Sequence, residues 1–159
     1  MTIFATNDKS LDVTLLVIPE SSMMSLASTL DTMRAANRIA SRNLFRWKIV
    51  TLDGGSADLT CGIPIAADSK LDDRDSGDVL CVIAGFNHQN HVGKPELKLI
   101  RQVSRRFNTV GGIEAGSWIL ARCGLLDQKQ ATTHWEDMEE FSMQFPRVKL
   151  KADRFVIDG

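Results

Sequence analysis

Short apolar runs alternate with amphipathic segments along most of this chain. The runs at 12–18 and 79–84 are nearly continuous and rich in β-branched residues, which is typical of parallel strands buried on both faces. Apolar residues recur at helical spacing over 23–37 and 97–107, so each of these segments is expected to form a helix that buries one side. The segment 45–52 alternates apolar and charged residues and predicts one more strand.

One stretch passes directly from a buried strand into a helix. Over 109–121, Val110 and Ile113 favour a strand, and an apolar helical run starts at Ser117. Glycines in between allow the strand and the helix to pack closely. The residue at such a corner is held in a sharp turn at the carboxyl end of the sheet, and here that residue is Glu114.

Weaker patterns predict the remaining elements. Turn residues favour a small hairpin, an Asp-rich stretch favours a solvated loop with a short helix, and shorter strand and helix patterns follow the corner. The expected positions are 57–67 for the hairpin, 68–78 for the loop, 130–135 for a strand, 136–145 for a helix, and 148–150 and 154–157 for two short strands.

The order of these elements predicts an α/β three-layer sandwich around a mainly parallel, flavodoxin-like sheet. Ligands in such sheets bind at the carboxyl ends of the strands. Loops 19–23 and 86–92 and the corner at Glu114 are expected to meet there. Asp158-Gly159 is a turn signal directly after a predicted strand, so we expect further elements of the domain to follow it.

Composition narrows the class of protein. A chain of 159 residues with 43% hydrophobic residues suits one soluble domain, with residues 1–11 as a polar, flexible leader. A net charge of −1 gives no basic excess for nucleic acid, and no apolar run approaches the roughly 20 residues of a membrane span. Three widely spaced cysteines favour a reducing cytoplasm over a disulfide framework or a zinc site.

Two groups of polar residues invite a metal interpretation. The aspartates of 68–78 lack the order of a calcium-binding loop, so a solvated loop is favoured. The spacing of His88 and His91 can suit a metal, but no third ligand of the usual type lies nearby in the sequence. Neither a metal nor a cofactor is therefore expected.

Three motifs together resemble a known family. They are Val-Gly-Gly-Ile-Glu-Ala-Gly-Ser-Trp-Ile-Leu-Ala at 110–121, Ala-Thr-Thr-His-Trp at 131–135 and Leu-Asp-Thr-Met-Arg-Ala-Ala-Asn at 30–37. From Val13 onward the chain is similar to the class I glutamine amidotransferase-like (PfpI-like) domain of GlxA-type transcriptional regulators of the AraC family. The resemblance implies a ligand-sensing domain at 12–159, a bacterial cytoplasmic protein, a homodimer, and a helix-turn-helix DNA-binding domain beyond this chain.

The resemblance also bears on catalysis. In the enzymes of this superfamily the corner residue is a cysteine nucleophile, and the matching residue here is Glu114. The acidic residue that some relatives carry on the first helix corresponds to Ser25, and His134 matches the family's Thr-His segment without a thiol to activate. We therefore expect no catalytic residue. The alternative is a stand-alone PfpI-like hydrolase or glyoxalase-like enzyme with an atypical corner residue.

The charge of Glu114 indicates the kind of ligand. A carboxylate at a strand–helix corner faces a helix N-terminus, and a bound cation would complete its neutralisation. Aromatic faces can hold an ammonium or guanidinium group, and polar side chains can hold a carboxylate at the other end of the ligand. The expected effector is a betaine, a carnitine-like amine or a basic amino acid. The candidate ligand-binding residues are Ser22, Phe86, Asn87, Glu114, Ala115, Trp118, His134 and Trp135.

Several of these residues also have a purely structural interpretation. Glu114 can instead bond only backbone amides or the hydroxyls of Thr132 and Thr133, and it then contacts no ligand. Trp118 lies at a helical position at which a core residue is equally expected, since large apolar side chains mostly serve packing. The two interpretations differ in whether these side chains meet in an accessible cavity.

Overall fold

The computed structural model describes residues 9–158, and strands and helices alternate along most of this range. The strands are β1 (Leu11–Val17), β2 (Phe45–Thr51), β3 (Ala57–Asp58), β4 (Pro64–Ile65), β5 (Ser69–Lys70), β6 (Gly77–Ala84), β7 (Phe107–Glu114), β8 (Gln130–Ala131) and β9 (Lys149–Leu150). The helices are α1 (Met23–Ala40), α2 (Lys94–Ser104), α3 (Gly116–Arg122) and α4 (Met138–Gln144), with short 3-10 turns at His88–Asn90 and Trp135–Asp137.

Five of the strands form one parallel sheet in the order β5, β2, β1, β6, β7. Neighbouring residues of β1 enter two separate apolar clusters because successive side chains of a strand point to opposite faces. Leu15 packs in the cluster that contains Leu26 of α1, and Leu16 packs in the cluster that contains Ile100 of α2 and Ile119 of α3. Helices therefore cover both faces, and the predicted three-layer, flavodoxin-like sandwich is confirmed.

Polar side chains bond the backbone at the start of helix α1 and near its end, and the helix runs three residues beyond the predicted segment 23–37. Ser22 is the N-cap, and its side-chain oxygen accepts a hydrogen bond from the backbone N–H of Met24 at 3.2 Å. At the other end, the side chain of Asn37 donates to the carbonyl of Phe45 at 2.8 Å and accepts from its N–H at 2.9 Å. These two bonds join the last turn of α1 to the first residue of β2.

Replacing Asn37 with alanine is expected to lower the free energy of unfolding by about 2 kcal/mol. The change removes both partners of a half-buried backbone N–H and carbonyl, and each unsatisfied group costs about 1–3 kcal/mol before water re-enters. Urea unfolding followed by circular dichroism measures the effect. Asn43→Ala, an exposed asparagine in the same connection, is the matched control, and equal stability of the two variants would contradict the prediction.

The segment 68–78 differs from its prediction, since it contains a strand and turns but no helix in the structure. Strand β5 pairs with the end of β2, and the carboxylate of Asp68 accepts a hydrogen bond from the N–H of Ile49 at 2.7 Å. Leu71 is buried directly after the strand. Pairing with the exposed edge of β2 and burial of Leu71 therefore outweigh the local preference of an Asp-rich stretch. The hairpin predicted at 57–67 is confirmed by the antiparallel pair β3 and β4.

The strands predicted after the corner are shorter than expected. Only Gln130–Ala131 of the segment 130–135 is paired, in parallel with β9, and the predicted strand at 154–157 has no ladder partner among the described residues. Instead, the carboxylate of Asp158 accepts a hydrogen bond from the N–H of Gln130 at 2.6 Å. Alternation of apolar residues at 154–157 was thus insufficient for a strand, because a strand also needs a paired edge.

Strand β1 starts earlier than predicted at the amino end of the described residues. Residues 1–8 of the expected leader lie outside the described residues, and β1 begins at Leu11, inside the segment 1–11 that was assigned to the leader. Among the described residues, no helix combines the length and the apolar character needed to cross a membrane.

Candidate functional site

The corner between β7 and α3 has the strained geometry that its sequence predicts. Glu114 has a φ of +58°, a left-handed conformation that residues other than glycine adopt at a cost. The turn is closely packed two residues later, since a Cβ added to Gly116 would lie 2.1 Å from the carbonyl oxygen of Val82 in β6. The half-buried side chain of Glu114 lies at the carboxyl end of β7 and reaches helix α1.

The carboxylate of Glu114 has one protein partner. The hydroxyl of Ser25 on α1 donates a hydrogen bond to Glu114 Oε2 at 2.5 Å. The other oxygen, Oε1, accepts no hydrogen bond from any residue that the structure describes. The alternative in which Glu114 bonds Thr132 or Thr133 is not what the structure shows, because those hydroxyls have other partners. One carboxylate oxygen therefore remains available at this corner.

The loops after β1 and β6 pack against each other beside the corner. The buried hydroxyl of Ser21 is 2.6 Å from the carbonyl oxygen of Ile18 and 3.0 Å from that of Ile83, so it links the ends of both strands. Gly85 lies so close to the backbone of Glu20 that an added Cβ would be 2.2 Å from its carbonyl oxygen. The predicted meeting of loops at the carboxyl end of the sheet is thus confirmed.

Asn87 has a partner within these loops. Its side-chain amide donates a hydrogen bond to the carboxylate of Glu20, and His91 Nε2 lies 3.5 Å from the second oxygen of the same carboxylate. The left-handed conformation of Glu20, with a φ of +60°, brings its carboxylate to this position. The amide of Asn87 is therefore occupied by Glu20.

The segment that carries His134 is tied to the corner through hydroxyl groups. The hydroxyl of Ser117 in α3 lies 3.0 Å from Thr133 Oγ1 and 3.1 Å from the carbonyl oxygen of Glu114. His134 Nδ1 accepts a hydrogen bond from the N–H of Glu136 at 3.4 Å, so Nε2 carries the proton in the neutral ring. The imidazole contacts Phe86 edge-on at 5.0 Å between ring centroids.

These side chains border a cavity of about 1140 Å³ that runs along the edge strand β7. From the corner the cavity follows β7 back to Asn108, at the other end of the strand. Four of the candidate ligand residues line it, and the other four do not. The lining residues are Ser22, Glu114, His134 and Trp135, whereas Phe86, Asn87, Ala115 and Trp118 are outside it, although Phe86 contacts the ring of His134.

Trp118 is a core residue in the structure. It is 7% exposed, and its ring packs edge-on against Phe141 at 5.2 Å and Phe145 at 5.6 Å. Its indole nitrogen is buried without a hydrogen-bond partner among the described residues. The sequence did not separate a core position from a site position here, because both occur at the same helical spacing.

The buried cysteines are unsuited to replace the nucleophile that the corner lacks. Burial raises the pKa of the Cys81 thiol to about 12. Burial also raises the pKa of the Cys123 thiol to about 11, against the opposing effect of the nearby charges of Arg122 and Arg101. Both groups are therefore thiols and not thiolates near neutral pH, and a thiol is a poor nucleophile.

The described residues around the corner do not form a metal-binding cluster. Within residues 9–158, no group of three or more His, Cys, Asp or Glu side chains is placed to hold a metal ion. His88, one of the two histidines with metal-like spacing, is buried beside the ring of Trp118 at 5.9 Å between ring centroids. The contacts of His88 are thus with the core.

Comparison with known proteins identifies the family. The model of the DJ-1/PfpI family matches residues 12–159. This chain belongs to the DJ-1/PfpI family. Among curated proteins it is 35% identical to the HTH-type transcriptional regulator CdhR of Pseudomonas aeruginosa, over 94% of this chain and 44% of the regulator. It is 30% identical to the HTH-type transcriptional regulator GlxA of Rhizobium meliloti, over 91% of this chain and 45% of the regulator.

A solved structure supports the same fold. The AraC family transcriptional regulator from Pseudomonas putida superposes with a TM-score of 0.79 at 24% identity, covering 93% of this chain and 80% of the other. The predicted resemblance to GlxA-type regulators with a PfpI-like domain is therefore confirmed. The chain spans less than half of the length of the curated regulators that it matches.

Proposed function

We propose that this DJ-1/PfpI domain is the non-catalytic ligand-sensing part of an AraC-family transcriptional regulator. Its similarity to CdhR and GlxA, both named as HTH-type transcriptional regulators, supports the regulatory role. The remaining length of such regulators provides room for a helix-turn-helix domain that binds DNA, and we propose that the regulator acts as a homodimer. A reading frame that closes near residue 159 without a helix-turn-helix segment would contradict this part of the proposal.

The residue at the corner supports a non-catalytic role. The corner position holds a carboxylate, and Cys81 and Cys123 are buried thiols. A hydrolase or glyoxalase-like reaction would need Glu114 itself as nucleophile, or Glu114 as the base for a hydroxyl such as that of Ser25, and neither is the cysteine nucleophile of the enzymes of this superfamily.

The available oxygen of Glu114 is the observation that carries the ligand proposal. A half-buried carboxylate with a single neutral partner attracts a positively charged group, because a cation in the cavity would offset the cost of its partial burial. The ring of His134 contacts those of Phe86 and Trp135, with centroids 5.0 Å and 5.8 Å apart, and His134 and Trp135 line the same cavity as Glu114. Aromatic faces stabilise ammonium groups in such positions.

Two donors are available for a negative group on the same ligand. The Ser22 oxygen accepts from the backbone of α1, which leaves its proton free to donate, and His134 Nε2–H has no partner among the described residues. Both residues line the cavity with Glu114. The proposed effector is therefore a small zwitterion or cation, such as a betaine, a carnitine-like amine or a basic amino acid.

A thermal-shift screen of amines and amino acids on the full-length protein tests this proposal. A cationic or zwitterionic compound at 100 times its dissociation constant is expected to stabilise the protein by about 2.7 kcal/mol. Glu114→Gln keeps the size and removes the charge, so the stabilisation is expected to disappear. Glu139→Gln removes an exposed carboxylate of α4 that does not line the cavity, and should respond like wild type. The proposal fails if Glu114→Gln is stabilised as strongly as Glu139→Gln.

A further inference from the structure

Helix α1 has an outer face with exposed apolar side chains at both of its ends. Its buried residues, Leu26 and Met33, point toward the sheet, and among the described residues no second helix contributes to the apolar cluster on this side. On the outer side of the helix, Met24 is 78% exposed and Ile39 is 79% exposed. We infer that two copies of this chain associate through this outer face, with their α1 helices packed antiparallel. The inference rests on the homodimer of the proposed function.

The outer face presents the same arrangement of sizes from either end. At about 100° per residue, positions 24, 28, 31, 35 and 39 lie within about 80° of the helix circumference. Met24 and Ile39 are large and apolar, whereas Ser28 and Ala35 between them are small. About a two-fold axis between positions 31 and 32, Met24 therefore meets Ile39 of the second copy, and Ser28 meets Ala35. The small side chains allow the two helices to approach closely in the middle.

The charged groups beside this face are self-complementary. Arg34 Nε donates a hydrogen bond to Asp31 Oδ1 at 2.6 Å, and both side chains are more than half exposed. A two-fold rotation keeps the two residues on the same flank of the interface. Asp31 of one copy and Arg34 of the other are then offset by about 3 Å along the helix axis. The symmetric pair therefore brings opposite charges together twice.

An exposed tryptophan extends the surface beyond α1. Phe45 and Ile49 of β2 pack in the apolar cluster beneath α1, and Trp47 points to the same face of the sheet because side chains alternate along a strand. The bonds of Asn37 to Phe45 place this end of β2 beside the last turns of α1. Tryptophan is enriched among the residues that contribute most to binding at protein interfaces. The proposed interface therefore combines α1 with the start of β2.

Helix α1 also forms part of the candidate site. Ser25 donates a hydrogen bond to Glu114, and Ser25 and Met24 both line the cavity at the corner. Because Met24 meets Ile39 of the second copy, that copy borders the cavity. Effector binding and the association of the two copies would thus involve the same helix.

Sedimentation equilibrium of the full-length protein measures the dissociation constant of the dimer. Ile39→Lys places a charge against Met24 of the second copy, and symmetry repeats the change at a second place. The dissociation constant is therefore expected to rise about tenfold or more. Met143→Lys is the matched control and should dimerise like wild type, because Met143 is an exposed residue of α4, which packs on the opposite face of the sheet.

Reversing the charges tests the antiparallel arrangement. Asp31→Arg places like charges together and should raise the dissociation constant about tenfold, whereas Asp31→Arg combined with Arg34→Asp should return it to within about threefold of wild type. A double variant no better than Asp31→Arg would overturn the antiparallel arrangement. If Ile39→Lys and Asp31→Arg both dimerise like wild type, the α1 surface is wrong and the homodimer stands. A monomeric wild type would overturn the homodimer, and the inference with it.

Discussion

Replacing Gly116 with alanine is expected to lower the free energy of unfolding by about 3 kcal/mol or more. An alanine Cβ at this position would lie 2.1 Å from the carbonyl oxygen of Val82 and 3.0 Å from its carbonyl carbon. Both atoms belong to the backbone of the central strand β6, so no side chain can move aside to relieve the contact. The variant must instead shift the start of α3 away from the sheet.

That shift should also disturb the candidate site. Helix α3 begins at Gly116, two residues after Glu114, and Ser117 in its first turn links the corner to Thr133. Any ligand that stabilises wild type is therefore expected to bind the Gly116→Ala variant more weakly. Urea unfolding and thermal shift measure the two effects on the same preparations.

Gly111 provides the control for this experiment. It lies on β7, close to the corner, and a Cβ added there would meet no atom within 4 Å. Gly111→Ala should therefore stay within about 0.5 kcal/mol of wild type, as for ordinary substitutions away from the core. A Gly116→Ala variant that is as stable as Gly111→Ala would contradict the close backbone approach of α3 to β6.

The second large effect concerns pH. Stability is expected to fall by up to about 3 kcal/mol as the pH is lowered from 6.5 to 4 because His88 is buried. The side chain is 5% exposed, and its Nδ1 atom has no hydrogen-bond partner among the described residues. Burial lowers the pKa of His88 to about 4, the positive charge of Arg122 acts in the same direction, and the carboxylate of Asp137 opposes them.

The sign of this pH dependence follows from the number of protons that His88 binds in the folded and unfolded states. Between pH 6.5 and 4 the unfolded chain binds a proton at His88 that the folded protein does not bind. Acid therefore favours the unfolded state in this window, and the free energy of unfolding decreases as the pH falls through it. From about one pH unit above 6.5 the imidazole is neutral in both states, so His88 makes no pH-dependent contribution there.

Variants of His88 isolate its contribution from that of the carboxylates. His88→Gln and His88→Asn remove the titrating ring and keep a neutral polar side chain, so the slope of stability between pH 6.5 and 4 should become smaller in both. Urea midpoints measured at half-unit pH intervals give the slope. If both variants retain the slope of wild type, the acid sensitivity does not come from His88.

Local patterns predicted most of the central sheet. Strands β1 and β6 are apolar on both faces, and this property alone distinguishes a buried parallel strand from an exposed one. The helix at 23–37 was also predicted, because apolar residues such as Leu26 and Met33 recur at helical spacing within this one segment. These features depend on residues close together in the chain, so the sequence was sufficient for them.

The predictions failed where an element depends on a distant partner. Strand β5 exists because the end of β2 offers a free edge and Leu71 finds a place in the core. The segment 154–157 remains irregular among the described residues because no strand lies beside it. Trp47 is one of the apolar residues that alternate with charged ones in β2, yet 38% of its surface is exposed near the start of the strand. Secondary-structure propensity alone therefore predicts neither the strand β5, nor the irregular segment 154–157, nor the exposure of Trp47.

The candidate site also has some features that depend on neighbouring residues and others that depend on tertiary packing. The sequence by itself determined that a carboxylate, Glu114, occupies the strand–helix corner, because the glycines and the apolar runs that shape the corner are its neighbours in the chain. Only the tertiary structure decided which side chains surround that carboxylate. Ser25 reaches it from α1, Asn87 is bonded to Glu20, and Trp118 is directed into the core. Such contacts depend on how α1, β6 and β7 pack against one another, and no local pattern records that packing.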